Sequence, residues 1–285
     1  MMDKWELYLF WLSLALYIFS WLGITAEYIF LGRRFAGRDN KERPVLFRIL
    51  SWLPAIAIGV HAFSLAIRSY LAGHLPLFGT YENAQAACWF VFLFTLLIRK
   101  YGDSLHYLGI ITYLWGIGLF LWALRFNPNR IPLTISEQSL WVDLHVLFAW
   151  LAFGSFLVAA GLAVVIIREK NANFIIPAAV PRTTLTELHF KYLSFGFVTY
   201  SVMLALGAYY SFLLFNRWWQ WDIVETLSLI NWLLYGLIIH LRLFYRRWLK
   251  LAAWLTLLSP LGLLVAYLGL SAINVNTFHS FDLPF

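Results

Sequence analysis

Charge is scarce in this sequence. Only 12% of its 285 residues are Asp, Glu, Lys or Arg, against about 25% in a soluble domain. Hydrophobic residues make up 62%. A water-soluble fold has nowhere to bury that much apolar surface, so lipid is the solvent for most of the chain. Cysteine is nearly missing. Cys88 is the one thiol, which excludes a disulfide framework, an internal CxxC redox pair and a cysteine-based zinc or iron–sulfur centre. Acidic residues number 14 against 21 basic ones, for a net charge of +7. The basic residues flank hydrophobic runs, as membrane topology requires, so the positive balance does not point to nucleic acid. No internal repeat is visible, which removes the support for an inverted-repeat transporter. The apolar runs are continuous rather than alternating, which excludes a membrane β-barrel.

Eight such runs are present, at about 7–31, 45–70, 81–98, 105–124, 141–167, 192–214, 224–243 and 248–272. Each is near the ~20 residues that a helix needs to cross a bilayer. The expected fold is all-α: a polytopic bundle of about eight transmembrane helices forming one integral membrane domain over 1–285. The first run follows Asp3, Lys4 and Glu6 with no small-residue cleavage site, and reads as a retained helix rather than a signal peptide. Most basic residues fall on one set of connections: Arg33, Arg34, Arg38, Lys41, Arg43 and Arg48, then Arg99 and Lys100, then Arg168, Lys170, Arg182 and Lys191, then Arg242, Arg246, Arg247 and Lys250. Lys4, Arg68, Arg125, Arg130 and Arg217 remain for the other side. The positive-inside rule puts the first set in the cytoplasm or its organellar equivalent, and both termini on the opposite side.

Aromatic residues are abundant, at 19%, with 15 tryptophans. The outer connection between runs six and seven reads Phe215-Asn216-Arg217-Trp218-Trp219-Gln220-Trp221-Asp222-Ile223-Val224-Glu225. An interfacial belt also gathers tryptophan at the headgroup level. A belt scatters its rings over many helix ends, however, whereas these three indoles share one connection with two carboxylates. Flat indole faces beside an aqueous edge suit a large planar ligand. Two histidines fall on the same outer side: His145 at the start of run five, and His279 after run eight. Singly, each reads as an interfacial polar residue; as a pair, they are suited to holding a heme iron from both faces. His240 falls late in run seven, in the inner half of the membrane. There an ionisable side chain is either a functional group or one that reaches for the boundary beside Arg242. His61 is a weaker candidate of the same kind. His74, His106 and His189 read as structural or solvated.

These residues resemble the CcsA or ResC family of system II cytochrome c biogenesis, over most of the chain from Gly73 onward. The family carries an external segment of the form W-G-x-x-W-x-W-D-P-K-E-T followed by S-L-I-T-W. Trp219, Trp221, Asp222, Glu225, Thr226, Ser228, Leu229, Ile230 and Trp232 fall on that pattern. Gly73-His74-Leu75-Pro76 with Tyr81-Glu82, the stretch from Trp141 to Val146, Gly207-Ala208 and Phe278-His279-Ser280-Phe281 resemble further family motifs in the same order. The departures are Phe215-Asn216 for W-G and Ile223-Val224 for P-K, which alter the backbone options of the loop.

The resemblance implies a WWD-type heme-handling membrane protein. Heme b is its cofactor, with His145 and His279 as external axial ligands and His240 as the membrane-embedded ligand. Trp218, Trp219, Trp221 and Asp222 form the external platform, within a segment at about 207–226. The implied function is export of heme and its presentation for covalent attachment to an apocytochrome c bearing CxxCH. The chain would act as a subunit of a holocytochrome c synthase, with a second membrane protein of the CcsB or ResB type supplying the partner ligand for His240. The implied location is the bacterial plasma membrane or the thylakoid membrane, with the heme site facing the periplasm, cell exterior or lumen. Two other readings remain: a HemX-like membrane regulator of heme synthesis, and a transporter unrelated to heme whose tryptophans are belt residues.

Overall fold

The computed structural model describes residues 2–31, 44–130, 132–134, 137–168 and 180–266. Among these every regular element is a helix: α1 (Met2–Leu31), α2 (Val45–Leu50), α3 (Leu53–Ala72), α4 (Gly79–Leu97), α5 (Gly109–Ala123), α6 (Leu140–Ile167), α7 (Arg182–Phe215), α8 (Ile223–Phe244) and α9 (Leu249–Leu264). Short 3₁₀ turns at Ile98–Tyr101 and Asp103–Leu108 join α4 to α5, and another at Arg246–Trp248 joins α8 to α9. Seven helical stretches are long and apolar enough to cross a membrane. The eighth apolar run appears as α9, which is 16 residues long, and residues 267–272 of that run lie outside the described residues. The protein is an integral membrane protein with an all-α fold.

Two runs are built differently from a single straight helix. The second divides at Ser51-Trp52 into α2 and α3, with Pro54 in the first turn of α3. That position tolerates proline because its amide has no partner within the helix. The fourth begins as a 3₁₀ turn before α5.

The bundle is organised around α6, which packs against α4, α7 and α9. Its middle is buried on all sides, from Ala152 to Leu157 without a break. An all-round apolar sequence is what such a helix requires. Phe156 is the central wedge. Its ring lies parallel to Tyr235 of α8, at 3.5 Å between centroids. It also presses on Gly196 of α7, where an added Cβ would stand 2.5 Å from the ring. Close backbone approach over small residues is the usual way helices gain contact in lipid. A second group, α1 with α3, α4 and α5, stacks Tyr17 on Phe92 at 3.5 Å and Phe92 on Tyr113 at 4.5 Å.

Polar side chains mark the two ends of the bundle. At one end, Arg68 donates to Glu82 and to Glu6, each at 2.7 Å, and to the carbonyl of Pro128 at 2.9 Å. Arg130 donates to Glu6 at 3.0 Å. At the other end, Glu27 pairs with His106 at 3.2 Å, and Arg99 donates to the Ser51 carbonyl at 2.7 Å. The connection between α7 and α8 belongs to the end that carries Arg68, the one expected to face outward.

Candidate functional site

The connection 216–222 is a rigid turn held by both flanking helices. Asn216 ends α7 in the left-handed conformation, at φ 56°. Asparagine tolerates that region better than other non-glycine residues, so the departure from glycine leaves the helix stop intact. Asp222 begins α8 as its N-cap, its carboxylate accepting from the Glu225 amide at 2.7 Å. Glu225 reaches back to accept from the Gln220 amide, also at 2.7 Å. The pair works as a capping box whose return arm extends two residues further into the loop. Ile223 is therefore the first residue of α8, where proline and isoleucine serve equally because no amide bond is lost. Asn216 and Ile223 thus leave both helix ends in place.

Inside this frame the three indoles take different positions. Trp218 stacks on Phe212 of α7, at 4.8 Å and an interplanar angle of 16°, and stands 6.1 Å from Tyr209. Tyr209 meets Trp141 of α6 edge-on at 4.7 Å. Trp141, Tyr209, Phe212 and Trp218 thus form one aromatic wall from the start of α6 to the loop. Trp219 is half-buried, and its indole N–H has no hydrogen-bond partner among the described residues. Trp221 packs edge-on to Trp219 at 6.3 Å. Its backbone holds φ at 59°, a conformation costly for a bulky residue, and its side chain is 72% exposed. Trp218 is 56% exposed. Large flat rings open to the outside, on a loop fixed by two helix caps, make a ready contact surface.

His145 lies one helical turn after Trp141, on the same face of α6. Its Nδ1 stands 2.9 Å from the carbonyl oxygen of Met203 on α7. A carbonyl only accepts, so Nδ1 carries the proton, and in the neutral imidazole the lone pair is then on Nε2. This is the usual arrangement of a ligating histidine, with one ring nitrogen bonded to the protein and the other directed to a metal. His74, after α3, is set in the same way, with Nδ1 2.8 Å from the Leu75 carbonyl, and it is an electrostatic neighbour of Asp143 on α6. This likeness is not legible in the sequence, because it depends on a backbone carbonyl.

The structure links Trp218, through Tyr209, to Trp141 at the start of α6, one turn before His145, and keeps Trp219, Trp221 and Asp222 on the same connection. It does not bring His240 there. His240 lies near the opposite end of α8, exposed on the bundle surface, with its ring 4.7 Å from Phe244 and 6.0 Å from Tyr245. His279 lies outside the described residues. His61 is a core residue, 1% exposed, bonded to the Tyr17 hydroxyl at 3.0 Å and to Gln85 at 3.1 Å. His106 is buried against Glu27 and His189 against Thr256, so neither is solvated. Among the described residues no cluster of three or more His, Cys, Asp or Glu side chains gathers to hold a bare metal ion.

Comparison with known proteins agrees with this architecture. The family model for cytochrome c assembly proteins matches residues 77–276. Protein NrfI of Wolinella succinogenes is 32% identical over 205 residues, covering 70% of this chain and 22% of its own length. The cytochrome c biogenesis protein CcsA of Guillardia theta is 24% identical over 236 residues, covering 74% of this chain and 78% of that protein. CcsA of Synechococcus sp. strain CC9902 is 24% identical over 275 residues, at 85% and 88% coverage. The solved structure of the cytochrome c heme lyase CcmF shares the fold, with a TM-score of 0.66 at 16% identity over 92% of this chain and 46% of that one. By this match over residues 77–276, the chain belongs to the cytochrome c assembly protein family, as a CcsA-type membrane protein of cytochrome c biogenesis.

Proposed function

We propose that this chain exports heme b and presents it at the outer membrane face for covalent attachment to apocytochrome c. The observation that carries the proposal is the His145 imidazole. Its protonated Nδ1 is bonded to the Met203 carbonyl, beside an open aromatic wall ending in Trp218. This set fits a porphyrin: a lone pair for the iron, flat apolar faces for the rings, and a rim open to a second protein. His279 is the proposed second outer ligand. Trp219 and Trp221 extend the surface, and Asp222 serves it indirectly by capping α8 and fixing the loop. When bound, heme supplies the vinyl groups to which the CxxCH cysteines add. The protein supplies ligation, orientation and an open edge.

In the same reading His240 holds heme on its way from the inner side. Its exposure on the bundle surface, with no second histidine in ring contact with it among the described residues, supports a partner subunit of the CcsB or ResB type that brings the other ligand. An ionisable side chain on a lipid-facing surface is costly unless something covers it. The basic connections then face the cytoplasm or stroma, and both termini and the tryptophan loop face the periplasm, cell exterior or lumen of a bacterial or thylakoid membrane.

Optical spectra of the purified protein loaded with hemin and reduced test the outer site. Wild type is expected to give a low-spin Soret and α band. The double variant His145→Ala with His279→Ala is expected to lose it, and added imidazole to restore part of it. Unchanged spectra in the double variant would remove the outer site from this account.

A further inference from the structure

Gly207 of α7 lies against the His145 ring, one turn after the carbonyl that ring is bonded to. A Cβ at that position would stand 2.7 Å from Cε1 of the imidazole and 2.8 Å from its Nδ1. Ordinary carbon contacts begin near ~3.5 Å, so the ring would have to withdraw by roughly 0.8 Å to admit a methyl group. The acceptor of the imidazole proton, the Met203 carbonyl, lies on the same helix, four residues earlier. In an α-helix that carbonyl also accepts the amide of residue 207. The side chain at the amide's position sits beside this carbonyl, which is why serine and threonine can reach back to bond it. Glycine removes that cover. The second lone pair of the Met203 oxygen is thereby exposed toward α6, where His145 meets it.

We infer that Gly207 is a positioning residue for the outer heme site: by leaving the Met203 carbonyl uncovered, it fixes His145 as the Nδ1–H tautomer and makes Nε2 the coordinating nitrogen. The inference rests on the proposed role of His145 as a heme ligand and adds how α7 prepares that ligand. A backbone acceptor also raises the electron-donating power of the imidazole toward a metal. The role differs from helix packing alone. At Gly236, on α8, an added Cβ meets only Phe197, at 3.6 Å, an ordinary contact with no polar group involved.

The test uses the full chain in detergent as wild type, Gly207→Ala, Gly236→Ala and His145→Ala. In heme-free, nitrogen-15-histidine-labelled protein, NMR reads the tautomer of His145, assigned by its loss in His145→Ala. Hemin titration reads binding. Wild type and Gly236→Ala should show the Nδ1–H form. Gly207→Ala should leave that form and bind hemin about tenfold or more weakly, in line with the cost of removing a partner of a metal-ligating histidine. Free imidazole should then restore its low-spin band. Wild-type tautomer and hemin affinity in Gly207→Ala would overturn the inference. If Gly207→Ala does not fold, the wild-type protein decides alone: an Nε2–H tautomer for His145 overturns the inference and an Nδ1–H tautomer supports it. If His145→Ala binds hemin as wild type does, the proposed outer site itself fails. If His145→Ala loses hemin while Gly207→Ala keeps it, only the role of Gly207 fails.

Discussion

Replacing Arg68 by methionine should be among the most damaging single changes at the outer end of the bundle. The guanidinium is buried, with its side chain 5% exposed against 4% for Glu82. It donates to Glu82, Glu6 and the Pro128 carbonyl, and lies over the Tyr81 ring at 4.8 Å. It therefore ties α1, α3, α4 and the connection after α5 to one group. In Arg68→Met, Glu6 keeps Arg130, but among the described residues Glu82 keeps only the Phe78 amide at 3.2 Å. Removing one member of a buried pair costs about 3–5 kcal/mol, mostly because the other charge is stranded. The double variant Arg68→Met with Glu82→Gln should recover at least ~1 kcal/mol of that loss, because no bare carboxylate remains at position 82. Reversible unfolding in mixed micelles measures both, as shifts of the denaturation midpoint at constant slope. A loss under about 1 kcal/mol for Arg68→Met, or strict additivity of the two changes, would refute the view that this pair is buried and coupled.

Other expectations follow from the loop and the core. Asp222→Ala removes the α8 cap and should cost about 1 kcal/mol, read as faster amide exchange and proteolysis in 217–222. Trp221→Gly should relieve the left-handed backbone and stabilise the loop while weakening hemin binding; a weaker loop with unchanged hemin binding would contradict both halves of that expectation. Changing Trp219 and Trp221 together to phenylalanine should lower heme occupancy at normal yield, whereas the same change at the exposed Trp248 and Trp254 should not. Equal heme loss from both pairs would remove the platform reading. Gly196→Ala should displace Phe156 and cost about 1–3 kcal/mol by overpacking, measured as a lower unfolding midpoint.

Much of the fold is legible in hydropathy alone, because a helix that crosses lipid must be apolar along its length. The runs at 81–98 and 141–167 agree with α4 and α6 to within a few residues. The break at Ser51-Trp52 is less visible, since one polar residue in an apolar run does not by itself interrupt a helix. The tryptophan loop is legible because its residue types are unusual for a connection. Which polar groups pair is not legible. Arg68 reads only as a basic residue left on the outer side, and its partners Glu6 and Glu82 come from two other helices. His61 and His240 both read as ionisable groups in membrane helices. Yet His61 faces Tyr17 and Gln85 in the core, while His240 faces outward. In lipid both the outward and the core-facing side of a helix are apolar, so composition alone does not tell which of them carries a histidine. Gly207 is legible as part of a motif, Gly207-Ala208, but what it does is not, because that depends on a carbonyl on the preceding turn.

Cytochrome c maturation in cells stripped of their own assembly system tests the central claim most directly. This chain, co-expressed with a CcsB- or ResB-type partner and an apocytochrome bearing CxxCH, is expected to yield covalently heme-stained cytochrome. The yield should fall in His145→Ala and recover in part with added imidazole. A purified protein that shows the Soret band while the cells contain no covalent heme, or equal yields from wild type and His145→Ala, would contradict the account.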